Sequence, residues 1–168
     1  MNRTATRFGV AATALVLAGL GLSIYLTVEH FSASPSYACP TNSVVDCVKV
    51  TSSSYSEFLG VPVVLAGVLY FVVALPLHLP SAWQSSNVWL QRARWAWSGI
   101  GMVSVFWLIY GELDVGAICL YCTGVHIVTF ALLVLTAIGS VVLLDDAGDG
   151  PDVDGADPAT VTAPTAAR

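Results

Sequence analysis

Four cysteines offer this chain its clearest chemistry: Cys39, Cys47, Cys119 and Cys122. The last two form the string Cys119-Leu120-Tyr121-Cys122. Cysteines three apart share one face of a helix, and their α-carbons come within disulfide reach. An apolar run follows the string, so it opens a helix. The free N–H groups of that first turn stabilise thiolate and make the first thiol reactive. Such a string is a weak signal alone; Cys39 and Cys47, with seven residues between them, supply a second pair. Four cysteines allow three pairings, and the sequence does not choose among them.

Two pairs on one side of a molecule permit a relay. A mobile loop pair, Cys39 and Cys47, would exchange with a soluble thiol protein, then reach the helix pair by thiol–disulfide exchange. A disulfide at a membrane surface then needs an electron sink, and a lipid-soluble quinone is the obvious two-electron one. Other uses of four cysteines fit less well. A four-thiolate zinc site has two close pairs, which Cys39 and Cys47 do not make. Attachment of c-type haem needs a histidine where this chain has Thr123. The competing reading is a non-catalytic membrane scaffold whose disulfides only brace an exterior loop. A supplier of reductant across the membrane would need cysteines reachable from the cytoplasm.

His126 follows Cys122 by one helical turn and Cys119 by two, on the same face. An ionisable side chain inside an apolar helix is a functional candidate. It would donate a hydrogen bond to a quinone carbonyl or help move its protons; otherwise it packs against a neighbouring helix. Glu112 and Asp114 read as solvated loop acids, or as docking charges for a partner. Lys49, two after Cys47, reads as a loop lysine that could also lower a thiolate pKa.

These residues need elements to hold them. Of the 168 residues 56% are apolar and 10% charged, against about 25% charged in an ordinary soluble domain. The net charge of -5 and lack of a basic patch argue against nucleic-acid binding. Four apolar segments, about 8–28, 61–79, 95–110 and 119–144, predict an all-α, polytopic membrane bundle of four helices. The first is roughly 31 Å long at the α-helical rise, enough for a hydrocarbon core. Pro62 falls in the first turn of the second helix, where it costs no hydrogen bond. The stretch 44–59 suggests a short amphipathic helix at the bundle mouth, and Pro35 and Pro40 irregular backbone before it.

Arg3 and Arg7 precede the first segment, and Arg92 and Arg94 lie between the second and third. The positive-inside rule then puts both termini and the 80–94 connection in the cytoplasm, with 29–60 and 111–118 outside. All four cysteines fall on the oxidising side of the cell membrane, where disulfides are the expected state. Trp83, Trp89, Trp95 and Trp97 flank the interior connection as interface anchors. A cleaved signal peptide competes for the first segment, but its apolar core is too long and ends about ten residues before the small residues at 36–38. Residues 1–144 form the redox domain in this reading. Residues 145–168 read as a disordered acidic cytoplasmic tail, with six of the chain's eleven acidic residues.

The combined pattern resembles the vitamin K epoxide reductase family, and most of all its bacterial quinone-linked members. It consists of the Cys39–Cys47 spacing, Ser53 six positions later, Gly60-Val61-Pro62, and the Cys119–Cys122 string opening the last helix. The strings Val28-Glu29-His30 and Ala117-Ile118-Cys119 add to it, and the resemblance covers roughly 10–143. It implies that Cys119 and Cys122 form a quinone-facing active site, with Cys122 nearest the quinone (menaquinone or ubiquinone). Cys39 and Cys47 would be the shuttle pair, Cys47 exchanging with Cys119, and Ser53 a hydrogen-bonding residue near the quinone mouth. Vertebrate members carry an asparagine in the loop and a tyrosine four residues after the Cys-x-x-Cys. This chain has no asparagine between Cys47 and Leu79, and has His126 at the latter position. The resemblance therefore implies simple quinone reduction and lends no support to activity on a vitamin K epoxide. Some bacterial relatives carry a fifth helix and a fused thioredoxin-like domain. This chain shows neither, so the expected partner is a separate exported, DsbA-like thioredoxin-fold protein.

Overall fold

A computed structural model describes residues 3–32, 38–39, 42, 44–58 and 60–148, with side chains of the last helix described to 143. Six helices appear among them: α1 (Arg3–His30), α2 (Cys47–Thr51), α3 (Val63–His78), α4 (Pro80–Trp83), α5 (Val88–Val115) and α6 (Leu120–Gly148). A 3₁₀ turn at Ser54–Ser56 leads into a two-residue antiparallel pair, β1 (Glu57–Phe58) with β2 (Val61–Pro62), in which Glu57 faces Pro62. The all-α expectation thus holds apart from this hairpin.

Helix α1 shows why the bundle forms. Its buried residues are Ala5, Gly9, Ala12, Val16, Gly19, Ser23 and Leu26. They alternate four and three apart, the seam spacing of paired helices. Most are small, while Val10, Leu17, Ile24 and Val28 point outward. Small residues inside with large apolar ones outside is the pattern of helices that approach closely in lipid. Gly19 lies so close to the Phe71 ring that a Cβ there would collide with it. Helix α1 packs along both α3 and α6, and α5 packs on α6 and α3. Leu69 of α3, Phe106 of α5 and Ile127 of α6 continue the apolar exterior.

Three helices, Arg3–His30, Val88–Val115 and Leu120–Leu143, are long and apolar enough to cross a membrane. Helix α3 is apolar but has only 16 residues, about 24 Å at the α-helical rise. The expected start of the second helix at 61 belongs instead to β2, and Pro62 is the N-cap of α3 rather than a first-turn residue.

The largest departure from expectation is α5. It was expected to be the shortest span, 95–110, and instead has 28 residues. At its start the Asn87 side chain accepts the N–H of Trp89 at 2.9 Å. Arg94, expected in the connection between the second and third helices, lies buried inside this helix. Its Nε donates to the Leu77 carbonyl at 3.0 Å and an Nη to that of Ala82 at 2.9 Å. Its guanidinium also stacks 4.1 Å above the Trp83 ring. The charge thus serves the carbonyls exposed where α3 ends. Trp83 is consequently buried, and Trp97 donates its indole N–H to the Tyr70 carbonyl, so neither is the interface anchor expected of it. Trp89 and Trp95 remain exposed.

Between 44 and 59 the expected amphipathic helix is reduced to the five residues of α2. The irregular backbone expected around Pro35 and Pro40 lies outside the described residues. Helix α6 runs through Asp145 and Asp146 to Gly148, four residues past the expected boundary; the rest of the tail is also outside the described residues. The alternating helix directions put all four cysteines at one end of the bundle. The opposite end holds the start of α1, with Phe8 stacked on Trp83.

Candidate redox site

The site begins with a helix stop. Gly116 adopts φ 66°, a left-handed conformation that favours glycine, and ends α5. The Ala117 N–H closes on the Glu112 carbonyl at 3.2 Å. Ile118 then pairs with Val45 in a parallel bridge: its N–H donates to the Val44 carbonyl at 2.9 Å, and the Asp46 N–H donates to the Ile118 carbonyl at 3.1 Å. These two bonds stitch the long loop to the residue before Cys119. Asp46 also caps α2 by accepting the Lys49 N–H at 2.9 Å, which fixes Cys47 at the helix start.

All four cysteines consequently meet in one cluster. Leu26, Cys47, Val64 and Cys119 are buried at its centre, and Cys39 and Cys122 pack against them. Cys39 is bonded to Cys47 and Cys119 to Cys122, with Cα–Cα distances of 6.3 and 5.2 Å. Burial differs within each pair. Cys47 is 2% exposed and Cys119 fully buried, while Cys39 and Cys122 are each half-buried. The chain of sulfurs therefore has two accessible ends and a buried middle. The Cys122 N–H points at the Cys119 sulfur, 3.2 Å away. Helix α6 starts at the next residue, so this sulfur holds an N-cap position, where a thiolate gains an N–H donor on reduction.

Two tyrosines that the sequence reading passed over hold the loop down. Tyr25 of α1 and Tyr121 of α6 lie 4.7 Å apart between ring centroids. The Tyr25 oxygen accepts the Ala38 N–H at 3.1 Å, and the Tyr121 hydroxyl donates to the Ala38 carbonyl at 3.0 Å. Both backbone groups of the residue before Cys39 are thereby occupied. Tyr121 was legible as the third residue of the cysteine string; its reach across the chain to Ala38 was not.

An apolar cavity enclosing about 680 Å³ of atom-free space, part of it open at the mouth, adjoins the cluster; Cys122, His126, Ser53, Tyr55, Glu112 and Ser23 are among its lining residues. Its lining is that of a small-molecule site, mostly apolar with a few polar groups. Cys119, beneath Cys122, does not line it. His126 is 6% exposed, and its Nε2 has no hydrogen-bond partner among the described residues. The expected alternative, a histidine bonded to a neighbouring helix, finds no support at that nitrogen. Ser53 lines the cavity from the loop side, its hydroxyl donating to the Val50 carbonyl at 2.7 Å.

The two acids expected in a solvated loop both belong to α5. Asp114 accepts the Tyr55 hydroxyl at 3.1 Å, a bond that raises the Tyr55 pKa above its ordinary value. Glu112 departs further from expectation. It is 8% exposed, and its Oε1 accepts the Cys119 N–H at 3.2 Å. The loop reading failed because the helix runs on through Gly111, Glu112 and Asp114 to Val115 before Gly116 ends it.

A comparison with protein-family models settles the lineage: the one describing the vitamin K epoxide reductase family matches residues 10–137. The chain belongs to the vitamin K epoxide reductase family. Its members are oxidoreductases, and they use quinone-type substrates in general. The matched span contains the four cysteines, Ser53 and His126, and reaches from α1 well into α6. In this member of the vitamin K epoxide reductase family the apolar helices and paired cysteines suit a disulfide oxidoreductase of a membrane.

Proposed function

We propose that this chain is a quinone-linked thiol oxidase of the bacterial type, which regenerates a separate exported thioredoxin-fold protein and so supports disulfide formation. The observation that carries the proposal is the ordering of the sulfurs. A half-buried Cys39 faces the surroundings, Cys47 and Cys119 are buried in one cluster, and Cys122 opens on the cavity. Thiol–disulfide exchange needs an accessible sulfur for the partner, and reduction of a membrane quinone needs a sulfur at an apolar cavity. No single pair in this arrangement offers both.

In the proposed sequence the partner's thiolate attacks Cys39, and the second partner thiol releases it, leaving the loop pair reduced. Cys47 then attacks Cys119, freeing Cys122 as a thiolate at the cavity wall; Cys39 resolves the Cys47–Cys119 link and frees Cys119. A quinone in the cavity, menaquinone or ubiquinone, supplies the two-electron, two-proton sink. The cavity fits such a head group: its walls are apolar, and the unpartnered His126 Nε2 is a hydrogen-bonding group in want of a carbonyl. Ser53 adds a hydroxyl at the loop side. The arginines at the far end of the bundle support a topology with both termini and the acidic tail in the cytoplasm of a cell whose plasma membrane holds the protein. Helix α3, with outward Leu65, Leu69 and Val72, is the fourth span in this topology.

The test is anaerobic turnover. Purified protein given a reduced thioredoxin-fold substrate and a short-chain quinone should bleach the quinone absorbance at a rate proportional to enzyme. Thiol loss should be two per quinone reduced. Quinone reduction unaccompanied by thiol loss, or none at all, would contradict the proposal.

A further inference from the structure

We infer that Glu112 is the proton carrier of this site, receiving the Cys119 thiol proton at its carboxylate and passing it into the cavity. The inference rests on the proposed function and deepens it. Glu112 is buried among apolar side chains, with no lysine, arginine or histidine bridged to it among the described residues. A carboxyl group in such a place is costly to keep unless it has a task. Its Oε1 already holds the backbone N–H of Cys119, so the carboxylate is anchored on the residue whose thiol must lose a proton. It also lines the cavity with Cys122 and His126. Glu112 and His126 line a second apolar cavity too, formed along the α5–α6 seam. The titratable groups around Glu112 are Cys119, Cys122 and His126 from the α6 side, Tyr55 from the loop, and Asp114 on its own helix. On α2, packed against α5, Lys49 is exposed.

The step balances. Two S–H bonds, on Cys119 and Cys122, break and one S–S bond forms; two electrons leave for the bound quinone and both protons end on its oxygens. The Cys119 proton stops at Glu112 on the way, and the carboxylate is restored when that proton leaves.

Glu112→Gln separates this role from a structural one, because an amide oxygen still accepts the Cys119 N–H but cannot exchange a proton. With dithiothreitol and quinone, E112Q should lose about 10²-fold in kcat, with the quinone KM unchanged and a larger slowing in heavy water than wild type shows. A second readout needs no quinone. To pass its proton, the Cys119 S–H must bond the Glu112 carboxylate in the fully reduced protein, so its infrared band should move to higher frequency in E112Q. Wild-type kcat in E112Q, or an S–H band that does not move, would overturn the inference. A wild-type protein that reduces no quinone, yet shows the band shift, would sink the proposed function while leaving the proton contact in place.

Discussion

Cys122→Ala protein is expected to lose quinone reduction with dithiothreitol by about 10⁴-fold or more, the loss that follows removal of a nucleophile working as part of a unit. The reason is positional. Cys122 is the cysteine that lines the cavity, and Cys119 beneath it is fully buried. Without Cys122 no sulfur faces a quinone, and the remaining Cys119 thiol has only the loop cysteines, Cys39 and Cys47, within the cluster to pair with. Cys119→Ala is expected to be as inactive, since Cys122 then has no partner with which to close a disulfide. Cys122→Ser, close in size, controls for packing. Anaerobic quinone absorbance measures the rate, and a melting curve in detergent shows whether the bundle is intact. Turnover within a few-fold of wild type in Cys122→Ala would remove this residue from its assigned place.

The second large effect is a split between donors. Cys39→Ala should abolish oxidation of a thioredoxin-fold partner, again by about 10⁴-fold, while keeping much of the dithiothreitol-driven rate. A small dithiol can reach the helix pair by the same open mouth, whereas a folded protein can only exchange with the half-buried Cys39. Cys47→Ala should behave likewise. The loop disulfide closes a short loop, and its loss costs about 2.5 kcal/mol of stability in the chain-entropy view, so rates are compared at matched folded protein. The Tyr25–Tyr121 clamp on Ala38 and the Val45–Ile118 bridge hold the loop independently of that disulfide. Equal loss with both donors in a folded Cys39→Ala protein would favour a disulfide that only braces the loop.

Much of this site was legible in the residues, and for a definable reason. Cysteine spacing is local, so the Cys119–Cys122 string and the position of His126 one turn later followed from helical periodicity alone. Apolar run length likewise announced α1 and α6. Features that depend on contacts across the chain were not legible. Nothing local marks Ala38 as the residue two tyrosines would hold, or Ile118 as the partner of Val45. Charges misled most. Arg94 and Glu112 were read as boundaries because a charge usually ends an apolar helix; each is instead buried, one on backbone carbonyls and the other on a backbone N–H. A buried charge with a backbone partner cannot be told from a solvated one by its neighbours in sequence.

The central claim is that both cysteine pairs drain in series into one quinone site. Protein reduced to four thiols, freed of reductant, and mixed without oxygen with a small excess over two equivalents of quinone tests it in one round of oxidation. Quinol is read by absorbance and each thiol by mass spectrometry after alkylation. Two quinols formed and all four thiols lost per protein is the expected result, with Cys39 and Cys47 oxidised no sooner than Cys119 and Cys122 have been oxidised once. One quinol formed, with Cys39 and Cys47 still reduced, would contradict the series; none would contradict the quinone site itself.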